Sequence, residues 1–197
     1  MLRVGPFVFI LPDCGARPGG HGMHAKRLGI YLNDHLAGSV GGLELAIRTE
    51  VENRGNLLGR YLATLVPELK EDQSTLLAVM DALALKRDGL KTRAAWAVEK
   101  VSRLKLNGTL VRYSPLSRLL ELEGLCAATE GRLSLWRTLA RVSVKDARLA
   151  VFPFESLVQR GEAQRSVLQR LRAQAADVAF AEEPQPFGTG EPLIAGH

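Results

Sequence analysis

The sequence predicts an all-α protein built as a four-helix bundle, and two seams and a length carry that prediction. From about Pro115 to Ala140, apolar or small residues recur in alternating steps of three and four: Leu119, Leu122, Cys126, Thr129, Leu133, Trp136, Ala140. The same rhythm returns in Phe154, Leu157, Gly161, Gln164, Leu168, Leu171, Ala175 and Val178. A seam with that spacing lets one helix lie along another at a shallow angle. Two further long helical patterns precede these. A chain of 197 residues with 46% hydrophobic content is long enough for one substantial core and short for two.

Along the chain, residues 1–22 read as a flexible leader that adds little to the fold. Val4 to Leu11 is apolar, but it contains Pro6, has only Arg3 ahead of it, and is followed by Pro12-Asp13-Cys14 rather than a small-x-small cleavage pattern. It is thus a poor secretory signal. No stretch reaches the roughly 18–20 continuous apolar residues of a membrane span. The expected compartment is the cytoplasm. Cys14 and Cys126 are the two cysteines of the chain and cannot form a disulfide framework. Cys126 falls on a seam and reads as a small buried hydrophobe.

The bundle domain is expected over 23–179. Its first helix should run from about His24 to Glu52, with Leu32, Leu36, Val40, Leu43, Ile47 and Val51 in one arc at 100° per residue. Gly38, Gly41 and Gly42 interrupt it. Each costs about 1 kcal/mol relative to alanine in a helix interior, which suggests that a neighbouring backbone or side chain comes close there. Asn53-Arg54-Gly55-Asn56 should turn the chain, with Gly55 left-handed and Asn56 capping the next helix. The second helix should run from Leu57 to about Leu85 on the stripe Leu58, Tyr61/Leu62, Leu65, Leu69, Leu76, Val79/Met80 and Leu83. Pro67 should kink it or, alternatively, break it into two shorter helices.

A crossover of different composition follows. Between Lys86 and Arg112, eight basic residues face only Asp88 and Glu99. A short helix over 90–104 is expected inside it. Ser114-Pro115 then opens the third long helix, with serine in the cap and proline in the first turn, where its missing N–H does no harm. That helix should reach about Val142, and Pro153 should open a fourth that ends near Ala179. Residues 180–197, with Glu182-Glu183-Pro184-Gln185-Pro186 and Gly188-Thr189-Gly190, read as a disordered tail.

A short turn makes the first two helices antiparallel, and a crossover of this length can carry the chain back along the bundle. One long crossover in a four-helix bundle is the connectivity of ferritin-like folds, and over about Met23 to Ala179 the chain resembles the ferritin-like superfamily, by helix and connection lengths rather than by a motif. It also looks similar to uncharacterised bacterial proteins of the same layout. A plain up-down-up-down bundle is the alternative.

The resemblance implies a test. Ferritin-like di-iron centres take a Glu from each of two helices and a Glu-x-x-His pair from each of the other two. No glutamate of this chain is followed by a histidine three positions on: Glu44 is followed by Ile47, Glu68 by Glu71, Glu123 by Cys126, Glu130 by Leu133 and Glu162 by Arg165. The motif is absent, so no cofactor is expected. The rival reading is an all-carboxylate di-iron or di-manganese site of Glu44, Glu68, Asp72, Glu123 and Glu130. Asp72 lies inside the apolar arc of the second helix, where a charge costs several kcal/mol unless paired or bound. The plainer explanation pairs it with an arginine of the fourth helix, such as Arg165 or Arg172, or with His35, and leaves the glutamates solvated. A zinc site of Cys14, His21 and His24 matches no strong spacing. No phosphate-binding glycine loop and no Ser/His/Asp set is present.

The crossover is the other functional lead. Lys91, Arg93, Lys100, Arg103 and Lys105, with Trp96 and Tyr113 nearby, could meet the phosphates of nucleic acid or of an anionic membrane. Residues 23–85 carry a net charge of −2, so a partner for the basic stretch also exists within the chain. The expectation is therefore a soluble bundle without a di-iron centre, structural or interaction-based in role, able to form a homodimer through an apolar helix face. A carboxylate-bridged oxidase and an anionic-surface binder are the alternatives, and no small-molecule substrate is identified.

Overall fold

The computed structural model describes residues 20–87, 113–183 and 186–188. The short helix expected over 90–104 and the basic residues Lys91, Arg93, Lys100, Arg103 and Lys105 lie outside the described residues, as does most of the leader. The described chain forms four long helices: α1 (Gly20–Glu52), α2 (Leu57–Ala82), α3 (Pro115–Ser143) and α4 (Phe154–Ala179), with a short 3-10 turn at Ala147–Leu149 before α4. None of these is long and apolar enough to cross a membrane.

Local chemistry sets the boundaries. Asn56 Oδ1 accepts from the N–H groups of Leu58 and Gly59 at 2.9 and 3.2 Å, and Ser114 Oγ accepts from Ser117 N–H at 3.1 Å. These side chains satisfy donors that a helix start leaves open. Pro67 lies within a single continuous α2. Gly55 is not left-handed: among the described glycines only Gly188 has a positive φ. The turn is held instead by Asn53, which is buried and donates to the Thr49 carbonyl at 2.8 Å.

Gly59 is required by that turn. A Cβ placed there would stand 2.1 Å from the Asn53 carbonyl oxygen and 2.9 Å from Arg54 Cα. Both are backbone atoms and cannot rotate away. Gly59→Ala should therefore destabilise the protein by about 1–3 kcal/mol or more. Gly131→Ala, where a Cβ meets nothing within 4 Å, should add up to about 1 kcal/mol. Urea denaturation of the two variants measures the contrast.

The helix directions follow from side-chain pairs. Arg48 of α1 meets Glu121 of α3 at 3.2 Å, and further along, Gly42 faces Ala128, so α1 and α3 are antiparallel. At its start, α3 is fastened to the α1–α2 turn. Arg118 Nε donates to Asn53 Oδ1 at 2.8 Å. Tyr113 Oη takes a hydrogen bond from Asn53 Nδ2 at 2.5 Å and donates to Glu121 at 3.1 Å. Burial raises the Tyr113 phenol pKa above its ordinary value, which keeps the hydroxyl protonated as a donor. α2 and α3 therefore start at the same end and run parallel, as the crossover reading expected.

The two long seams are buried as drawn, except that Cys126, Ala140 and Val178 are only half-buried. The α1 stripe is drawn correctly only at its beginning. Leu32 and Leu36 are buried, but Val51 is 47% exposed, while Leu45, Ala46 and Thr49 are buried. Facing both α2 and α3, α1 needs a wider and shifted apolar face than one narrow arc. Phe187 returns to the bundle, packs on the core near the α1–α2 turn and lies 4.5 Å from the Arg118 guanidinium carbon. No packed element was expected from that part of the tail.

The core itself divides. One apolar cluster gathers Leu32, Leu76, Met80, Trp136 and Phe154 at the end where α3 passes into α4. The other gathers Leu45, Leu62, Leu122, Leu168 and Leu171 at the turn end. Between them runs a band of polar side chains and open space.

Candidate functional site

Asp72 sits in the middle of that band. Leu65 and Val79 lie seven residues to either side of it, so helix geometry delivers its carboxylate to the core, where it is 4% exposed. Arg132 of α3 has the same setting, with Leu125 and Leu139 seven residues away in each direction. Its Nε stands 3.1 Å from Asp72 Oδ2. Arg160 of α4 donates from Nη2 to Asp72 Oδ1 at 2.5 Å and from Nη1 to Glu71 at 2.9 Å. Arg132 also donates to Gln164 Oε1, whose amide nitrogen donates to Glu68 at 2.5 Å. One network thus joins α2, α3 and α4.

Burial acts against both members of the central pair. It pushes the Asp72 carboxyl up from its ordinary range, while the Arg132 and Arg160 guanidinium groups pull the other way. It lowers Arg132, which Asp72 opposes. Each group is held charged by the other, and neither would be tolerated there alone.

Beside this network, α1, α2 and α3 border a cavity of about 270 Å³ that opens to the surface on one side, where Asp34, Gly38 and Ala128 are exposed. Leu43, Leu69, Leu76, Leu135 and Trp136 supply apolar walls, and Asp72, Arg132 and Thr129 a polar one. Ser39 and Gln73 also line it and bond to one another at 3.1 Å. His35 stands at the same cavity, with its ring edge-on to Tyr31 at 4.5 Å. Burial lowers the His35 pKa, with Asp34 opposing, so its imidazole is neutral at pH 7. The Trp136 indole N–H is buried and has no hydrogen-bond partner among the described residues, and the buried Arg132 Nε meets Asp72 as an ion pair without hydrogen-bond alignment.

The glycines of α1 meet this space in two ways. At Gly42 a Cβ would touch Ala128 at 3.3 Å, the close approach the sequence suggested. At Gly38 it would meet nothing within 4 Å. That glycine admits no neighbour and faces the cavity instead.

The five candidate metal carboxylates are dispersed. Glu44 and Glu123 are exposed, Glu68 is half-buried and taken by Gln164, and Glu130 lies 3.4 Å from Arg165 at the α3–α4 edge. Only Asp72 is buried. Among the described residues no three His, Cys, Asp or Glu side chains gather where a metal ion could be held, so the residues present do not fit a di-iron or di-manganese centre. The partners expected for Asp72 were the right kind of residue at the wrong positions. Arg160 on α4 takes the place of Arg165 or Arg172, because position 160 is the one that stands level with Asp72 and on its side of α4. Arg165 instead pairs with Glu130 and Glu162. Arg132 was not expected at all, although its heptad neighbours are the same signal that marked Asp72. The chain matches no protein-family model, and no curated protein or solved structure is found to be similar to it.

Proposed function

We propose that this protein is a ferritin-like helical bundle without a di-iron centre, with a structural or protein-interaction role. The observation that carries the reading is Asp72 clasped between Arg132 and Arg160. Bundle proteins of this kind hold metals on inward-facing carboxylates and imidazoles of their core. Here α3 contributes Thr129 and Arg132 and α4 contributes Arg160 and Gln164, none of which is a carboxylate. A divalent cation would have to displace two guanidinium groups and would be repelled by them in a medium of low dielectric. The parallel α2 and α3 support that layout, which has one long crossover.

An interaction role draws on surface rather than on chemistry. Val144 and Val151 are 84% and 80% exposed in the connection between α3 and α4, and this corner of the fold, at the end of the α3 face, is the one we propose for self-association. Protein purified without chelator should contain far less than one metal ion per chain by elemental analysis. About two irons or manganeses per chain, the stoichiometry of a di-metal bundle, would overturn the proposal. Sedimentation of wild type against Val144→Asp/Val151→Asp tests the corner: a dimer that the double substitution leaves intact does not use it.

A further inference from the structure

We infer that the central cavity is a binding site for a small, neutral molecule, apolar over most of its surface and carrying one hydrogen-bond acceptor. This goes beyond the structural reading and does not depend on the metal content. Three independent features of the cavity select that chemistry.

The first is size and wall. An apolar cavity of about 150 Å³ stays dry and takes up benzene. At about 270 Å³, this one has room for roughly 10–12 non-hydrogen atoms on the same scale. Leu43, Leu69, Leu76 and Leu135 form its sides, and water displaced from that apolar part of the wall gives up few hydrogen bonds.

The second is charge. The buried charges on the wall, Asp72 and Arg132, are already paired at 3.1 Å, and His35 is neutral. A charged ligand would lose its hydration without gaining a free counter-charge. Ser39 and Gln73 are occupied with each other.

The third is an unspent donor and an open door. Trp136 is 1% exposed, and its indole N–H has no partner among the described residues. A buried donor left unpaired is costly, and a ligand acceptor that reaches it recovers that cost. Gly38 and Gly131 line the cavity, and a Cβ at either would meet nothing within 4 Å. Glycine in a helix interior is unfavourable, and no neighbouring helix explains these two. What their missing side chains leave clear is the approach between α1 and α3, where Asp34, Gly38 and Ala128 are exposed.

The test uses the full chain and four probes of similar size: acetophenone, which has a ring and a carbonyl acceptor; ethylbenzene, which lacks the acceptor; and the charged benzoate and benzylammonium. Amide and indole N–H resonances report binding, and the Trp136 signal is identified by its loss in Trp136→Phe. Acetophenone should shift the Trp136 indole and the Gly38 and Gly131 amides saturably. It should bind about tenfold more tightly than ethylbenzene, the advantage of one satisfied buried donor. Trp136→Phe should erase that tenfold, so that acetophenone and ethylbenzene bind with equal affinity. Gly131→Leu should abolish binding of both neutral probes while its circular dichroism stays that of wild type. If Gly131→Leu does not fold, Gly38→Leu carries the same test. The proposal is overturned if neither neutral probe shifts these resonances at millimolar concentration, if a charged probe binds as tightly as acetophenone, or if Leu at position 131 or 38 leaves binding intact.

Discussion

Replacing Asp72 with leucine should lower the unfolding free energy by about 3–5 kcal/mol, the cost of leaving a buried charge without its partner. The stranded group is Arg132, whose side chain is 13% exposed and stands 3.1 Å from the lost carboxylate. Arg160 suffers less, because its side chain is 29% exposed and keeps Glu71. Asp72→Leu/Arg132→Met removes both buried charges and replaces them with apolar volume. Exchanges of that kind are often neutral or stabilising. Here the Gln164 oxygen loses its donor, at about 1–3 kcal/mol, so the double variant should lie within about 3 kcal/mol of wild type and well above the single. Urea denaturation of the cycle reads both values. A double variant no more stable than Asp72→Leu would show that the two groups contribute independently, and the account of a mutually dependent pair would fail.

That pair also marks where the sequence stops being legible. The α3 and α4 seams could be drawn because one face of each helix is continuously apolar, and the caps at Asn56 and Ser114 because capping is a local exchange of hydrogen bonds. Asp72 could be singled out because a charge in an apolar row is anomalous on one helix alone. Its partners could not be chosen, because that depends on the relative height and rotation of two helices, and Arg160 and Arg165 lie five residues apart on different sides of the same helix. The α1 stripe failed at Val51 for a related reason: a helix that touches two neighbours buries two faces, and a single arc averages them. The cavity left only the cost of its helix-interior glycines, Gly38 and Gly131, in the sequence. A glycine that admits a neighbour and one that keeps a space open look alike in sequence; Gly42 and Gly38 differ only in what stands opposite. The fastening of α3 by Asn53, Tyr113 and Arg118 was equally hidden, since each residue is unremarkable until the crossover brings 53 beside 118.

Trp136→Ala should cost about 3 kcal/mol, at the low end of what removing a buried tryptophan normally costs. Trp136 is among the largest fully buried side chains and packs on Phe154 at 6.2 Å between ring centroids, so much apolar area is lost. The loss is moderated on the side that lines the cavity, where there are no contacts to forfeit, and by the unpaired indole N–H, whose burial is itself unfavourable. Trp136→Phe separates these contributions. It keeps an aromatic ring against Phe154 and removes the orphan donor, so it should fall within about 1 kcal/mol of wild type. The alanine variant merges the space left by the indole with the existing cavity, and free indole should then raise its unfolding midpoint in proportion to the logarithm of indole concentration, as any ligand specific to the folded state does. If Trp136→Phe costs as much as Trp136→Ala, the indole N–H contributes a hydrogen bond in the native protein and the unspent donor does not exist. If the phenylalanine variant is nearly neutral and indole rescues the alanine variant, the middle of the bundle is a space that the two apolar clusters hold open rather than one they fail to fill.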